Sequence, residues 1–149
     1  MGAEMNLSNH FTLEEAIRSS TAERKGIDNS PSQTNIDNMV TAAAGMERIR
    51  GMLGYPIQVD SWYRCPELNE AVGGAKESSH MDGYAIDFIC PAYGSPKSIV
   101  EIIVESNLTF DKCIYEGTWV HISFDPQARR KVMTAHFGPN GTTYTQGAQ

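Results

Sequence analysis

Four histidines are spread along the 149 residues, and two of them stand in surroundings that suit metal chemistry. His80 lies in a glycine-rich polar stretch, GGAKESSHMDG, that leads into the apolar alternation Tyr84-Ala85-Ile86-Asp87-Phe88. Asp87 falls on the face opposite Ile86 and Phe88, and a carboxylate among apolar neighbours is unfavourable unless it is paired or bound to a cation. His121 is likewise flanked by Val120 and Ile122, which point the other way in a strand. Taken singly, a strand histidine is ordinarily a hydrogen-bonded core residue and a buried aspartate a loop cap. Taken together, two imidazoles and a carboxylate make a three-ligand set with a fourth tetrahedral position left for water. That is the pattern of a catalytic zinc site rather than a structural one. A structural site would draw on cysteine, and Cys65, Cys90 and Cys113 form no Cys-x-x-Cys pair. They are expected to be reduced, buried thiols.

Hydrolysis at such a centre also needs a base for the water and a cation for the developing oxyanion. Glu116 is the candidate base. Strands over 110–116 and 119–124 are separated by Gly117 and Thr118 alone, a tight hairpin with glycine at the first turn position, as a type II′ turn requires. Glu116 then faces Trp119 across the turn and shares a face with His121, on a diagonal of roughly 7–8 Å between backbone positions. Arg64, just after a strand over 57–61, is the candidate cation; alone it would pass for a surface arginine. Asp82 and Asp111 are weaker candidates for the base.

The elements that must position these groups can be read from periodicity and caps. Thr12 and Glu15 make a capping box for a short helix through Ile17. A polar loop, GIDNSPSQ, precedes a long helix over about 34–53, whose apolar stripe is Ile36, Met39, Val40, Ala43, Met46, Ile49 and Leu53, with Gly54 as its C-terminal glycine. Pro66 opens a short helix through about Val72, and Ser95-Pro96 another that carries Ile99, Val100, Ile103 and Val104. Strands are expected over 57–61, 84–90, 110–116, 119–124 and, last, 132–137. The end of the chain, GPNGTTYTQGAQ, reads as loose. The pattern is an α+β fold, helices first and then a mostly antiparallel sheet, in one domain over 1–149 with its core over about 11–137.

Composition narrows the partners. With 40% hydrophobic and 20% charged residues the chain resembles an ordinary globular protein, and no apolar run is long enough for a membrane span. A net charge of −6 argues against nucleic acid or an anionic membrane surface as partner. The N-terminus has neither a basic start nor an apolar stretch, so no secretory signal is expected, and the chain is expected to be made in the cytoplasm.

The motifs SSHMDGYAIDF and WVHIS, preceded by SWYR, resemble the zinc D-alanyl-D-alanine carboxypeptidase family, whose fold is shared by hedgehog domains and phage L-alanyl-D-glutamate endolysins. The family pattern Ser-x-His-x-x-Gly-x-Ala-x-Asp is met here by Ser78, His80, Gly83, Ala85 and Asp87. The opening FTLEEAIRSSTAERKGIDNSP is similar to that of the short phage- and prophage-type branch, so the resemblance runs from about Phe11 to Phe124.

The resemblance implies one zinc ion per chain, held by His80, Asp87 and His121. It implies a substrate-steadying role for Arg64 and a substrate-binding role for Ser78, with Trp119 beside them. It also implies a hedgehog-like fold and, as substrate, the stem peptide of peptidoglycan. Both the terminal D-Ala-D-Ala bond and the internal L-Ala-D-Glu bond are open. One departure concerns the base: many relatives carry an acid three residues before the last histidine ligand, or a histidine two before it, where this chain has Thr118 and Trp119. Glu116 instead lines up with the glutamate of a Tyr-Glu pair in hedgehog-like members. A monomer is expected, acting on the wall after holin-mediated release or as a virion component. The competing reading is a zinc-stabilised binding or virion structural module without turnover; a metal-free interaction domain would make the whole motif match a coincidence.

Overall fold

The computed structural model describes residues 5–147. Its framework is a six-stranded sheet in the order β1-β2-β4-β3-β5-β6. The strands are β1 Gln58–Ser61, β2 Ala85–Ile89, β3 Lys112–Tyr115, β4 Val120–Ser123, β5 Lys131–Gly138 and β6 Gly141–Gln146. Neighbours pair antiparallel except β3 and β5, which run parallel. The helices among the described residues are α1 Leu13–Ile17, α2 Ser20–Lys25, α3 Gln33–Leu53, α4 Pro66–Ala71 and α5 Pro96–Glu105. This is the α+β arrangement expected from the sequence.

The caps explain where the helices begin. Thr12 and Glu15 close a capping box on α1, and Ser32 and Asn35 do the same for α3. Gly54 ends α3 in the left-handed conformation at φ 75°. Ser95 caps α5 with Pro96 in its first turn. Met39, Ala42, Ala43, Met46, Ile49 and Leu53 of α3 are buried with Ile99, Val100 and Ile103 of α5 against Ile86, Phe88, Val120 and Ile122 of the sheet. Val40 and Val104 are 42% and 39% exposed, each one position off the packed stripe. The three cysteines are free and buried. Cys113, enclosed between strands, has its thiol pushed up to about 12 by burial.

Two features depart from the sequence reading. α2 was not anticipated, because its six residues STAERK bury Ala22 alone and leave no stripe to detect. The chain end is not loose through 141–146: β6 pairs with β5 from Gly138↔Gly141 to Met133↔Gln146. The turn between β3 and β4 is as short as expected, with Gly117 at φ 81°. It closes, however, through Thr118 N–H to the Glu116 carbonyl at 3.0 Å, a three-residue γ-type bond in place of the expected type II′ closure.

Candidate functional site

The antiparallel register sets Asp87 directly opposite His121, with Ser61 on its other flank and Ile114 beyond the histidine. Alternation sends Ile86, Phe88, Val120 and Ile122 into the core and turns this row to the opposite face. His80 joins it from a 3₁₀ turn over Ser79–Met81. Ser78 caps that turn, its hydroxyl accepting from the His80 N–H at 3.1 Å. Gly83, at φ 94°, lets the turn pass close under α3: a Cβ there would sit 2.8 Å from the Asn35 carbonyl oxygen. Its own carbonyl accepts from the buried Trp62 indole at 2.9 Å.

The three expected ligands converge. Asp87 Oδ1 is 3.0 Å from His121 Nδ1, and Asp87 Oδ2 is 3.2 Å from His80 Nε2. One ligand atom from each of the three lies within 4.8 Å of the others, so the group could hold a metal ion. The fit rests on His80. Its Nδ1 is 2.6 Å from the Trp62 carbonyl, which can only accept, so Nδ1 carries the proton. Nε2 then presents a lone pair to the cluster, and it is buried without a hydrogen-bond partner despite its proximity to Asp87. A backbone carbonyl fixing the tautomer of an imidazole in this way is the usual support of a histidine ligand. Burial lowers the His80 pKa, favouring the neutral ring that a metal requires. Burial pushes Asp87 up, but His80 and His121 beside it outweigh this and hold it well below the usual carboxylate range.

The cluster forms part of the floor of a cavity of about 600 Å³. Arg64, Ser78, Glu116 and Trp119 also line it, so every expected site residue meets in one space. Burial lowers the Arg64 pKa while Asp87 and Glu116 raise it, and its Nε is buried without a hydrogen-bond partner among the described residues. Glu116 is shifted upward by burial and by the Asp87 charge, against the opposing effects of His121, Trp119 and Arg64. The Trp119 indole N–H acts on that carboxylate yet falls short of hydrogen-bond geometry, and Trp119 Nε1 has no other partner among the described residues.

The weaker base candidates lie elsewhere. Asp111 has no side-chain exposure and takes three bonds of 2.8–3.1 Å from Arg129. Asp82 follows the 3₁₀ turn, where its carbonyl accepts from Asn38. Neither lines the cavity. The opposite wall was not anticipated: Lys112 from β3 and Met133, Phe137, Thr142 and Tyr144 from the β5–β6 hairpin also line the cavity. The signal for it was present in Asn140-Gly141 followed by the β-prone Thr142-Thr143-Tyr144-Thr145, a hairpin signature.

No helix of the described residues is long and apolar enough to cross a membrane. No curated protein matches the chain. A family model described as Peptidase M15 matches residues 9–123, from the N-terminal helices through the last residue of β4.

Proposed function

Because the chain belongs to the peptidase M15 family, we propose that it is a zinc metallopeptidase that hydrolyses a peptide bond in the stem peptide of bacterial peptidoglycan. The observation that carries this reading is the buried, unpartnered His80 Nε2 facing Asp87 and His121 at the floor of an open cavity. His80, Asp87 and His121 are the metal ligands. Zinc held there supplies a Lewis acid for the scissile carbonyl and lowers the pKa of a water.

The remaining steps belong to the chain. Glu116 takes the proton of the attacking water and delivers it to the leaving amine. Its upward-shifted pKa suits both halves of that exchange, since the group must give the proton back. Arg64 shares the negative charge that grows on the carbonyl oxygen, and its unpartnered Nε is a donor not spent within the protein. Ser78 holds the turn that carries His80 and offers its hydroxyl at the cavity wall, while Trp119 flanks the base. The substrate bond is the terminal D-Ala-D-Ala bond or the internal L-Ala-D-Glu bond of the stem.

The test is metal content of the purified protein together with release of new amines from purified peptidoglycan, with and without chelator. About one zinc per chain, and amine release that stops on chelation and returns with zinc, supports the reading; mass spectrometry of the fragments names the bond. Bound zinc without fragments from several wall chemotypes would make the chain a metal-stabilised binding module instead.

A further inference from the structure

The matched segment ends at residue 123, and the β5–β6 hairpin, over 131–146, lies wholly beyond it. Its placement is nevertheless specific. The parallel β3–β5 register, Tyr115 against Thr134, carries Glu116 to the level of Ala135, and Ala135 pairs with Tyr144. Glu116 and Tyr144 therefore stand two strand spacings apart, roughly 10 Å between backbones, on one face with a small residue between them. Ala135, between them, is buried. Tyr144 lines the cavity and stays half-exposed, and its hydroxyl makes no hydrogen bond to any described residue. Burial, then the charges of Glu116 and Asp87, raise its pKa; the phenol thus stays protonated and is a donor toward whatever enters.

We propose that Tyr144 is a substrate-binding residue of this cavity, its phenol donating a hydrogen bond to a main-chain carbonyl of the peptide beside the scissile bond. A neutral carbonyl is the acceptor the nearest charge favours, because a carboxylate beside the phenol would face Glu116. The hairpin then acts as the second wall of the cleft, supplied by a part of the chain beyond the matched segment. The proposal rests on the peptidase reading for the identity of the peptide and not for the placement of the phenol.

The test uses the zinc-loaded chain carrying Glu116→Gln, so that nothing is turned over, titrated calorimetrically with a synthetic stem pentapeptide. Adding Tyr144→Phe is expected to weaken binding about five- to tenfold, the equivalent of one neutral hydrogen bond. Tyr144→Ala weakens it further, and Thr143→Val, on the opposite face of β6, leaves it unchanged. In the chain that retains Glu116, Tyr144→Phe lowers kcat/KM by at least the binding factor with zinc content unaltered. Binding within twofold of the parent for both Tyr144 variants overturns the proposal, as does a parent that binds no peptide. If the unaltered chain hydrolyses nothing while Tyr144→Phe still weakens binding, the peptidase reading fails and the assignment of Tyr144 stands.

Discussion

The β2–β4 pair and the β5–β6 hairpin face the same cavity, and they are built in contrasting ways. On β2 and β4 the polar groups sit in a frame of fully buried neighbours: Ile86, Phe88, Val120 and Ile122 lock the strands, and Asp87 and His121 can point nowhere else. On the hairpin, β6 is exposed along its length, and Phe137 and Tyr144 keep 59% and 51% of their surface in solvent. The first region fixes its groups in a fully packed frame, as coordination chemistry demands; the second presents rings and hydroxyls that can adapt to a ligand. The family match stops between them. On the proposed function, the comparison teaches that the reacting centre and the surface that chooses what reaches it occupy separate parts of one sheet.

The sharpest way to break that contrast is to remove a ligand. Asp87→Ala is expected to abolish zinc retention, measured by elemental analysis, and to reduce hydrolysis on the order of a thousandfold or more, since several kcal/mol of Lewis-acid stabilisation go with the metal. Activity near normal in a metal-free Asp87→Ala protein would remove the β2–β4 face from the chemistry altogether.

Glu116→Gln separates chemistry from assembly on the same face. It should leave zinc content and fold unchanged and lower kcat by about 10²–10⁴-fold, the span typical of a lost general base. A near-normal rate would move the base to another residue.

How much of this was legible follows from the same contrast. Asp87 and His121 were readable because burial makes charge conspicuous: a carboxylate or imidazole inside an apolar alternation demands a partner, and the alternation fixes its face. His80, in a polar loop, was read from its place just before the Asp87 strand. Glu116 and Arg64 were placed in the cavity by strand parity and by a strand end, although the turn that carries Glu116 closes through a γ-type bond. The first strand of the hairpin was expected over 132–137, but β6 was missed because its residues are polar and exposed, and glycine and proline around Asn140 masked a real two-residue turn. α2 escaped for the related reason that a single buried alanine leaves no period. Val40 and Val104 err the other way, since hydrophobicity marks what can be buried and geometry decides what is.

Gly83→Ala sharpens the comparison at its hinge. The positive φ and the 2.8 Å approach to the Asn35 carbonyl each penalise a side chain, at about 1–3 kcal/mol apiece. The expected result is a lower unfolding midpoint in denaturant together with weakened zinc affinity, because the 3₁₀ turn carrying His80 must shift. Equal stability with unchanged zinc affinity would mean that the turn has slack, and the contrast between a rigid and an adaptable wall would weaken.

Asp111 tests how the hairpin is aimed. Through Arg129 it anchors the loop that leads from β4 into β5, where Ala128 and Arg130 take positive φ. The Arg129 hydrogen bonds hold the Asp111 carboxyl below its ordinary value. A group depressed on folding contributes stability that is present above its unfolded pKa of about 3.9 and is lost as pH falls through the folded value. Asp111→Asn should therefore lower the thermal midpoint by a few degrees at neutral pH and flatten its acid dependence below pH ~4. Zinc content should not change, because Asp111 and Arg129 bond one another and not His80, Asp87 or His121. The loop's tie to the His80 turn runs instead through Asp125, which accepts from the Ser79 hydroxyl at 2.9 Å.

The smallest effect is expected at Phe137, and it isolates the adaptable wall. Its ring lies 5.9 Å from that of Trp119 at 39°, a tilted pair at the mouth of the cavity, yet most of its surface is in water. Removing it takes little from the folded state, because the ring is already solvated, and nothing from the ligands. What it removes is a surface against which an incoming peptide can be desolvated beside the base. Phe137→Ala is therefore expected to leave the thermal midpoint and kcat within experimental scatter and to raise KM about two- to tenfold, the worth of one aromatic contact of roughly 0.5–1.5 kcal/mol. A fall in kcat with KM unchanged would instead place Phe137, through Trp119, in the support of Glu116, and the division between a rigid reacting face and an adaptable selecting wall would have to be redrawn one residue further along β5.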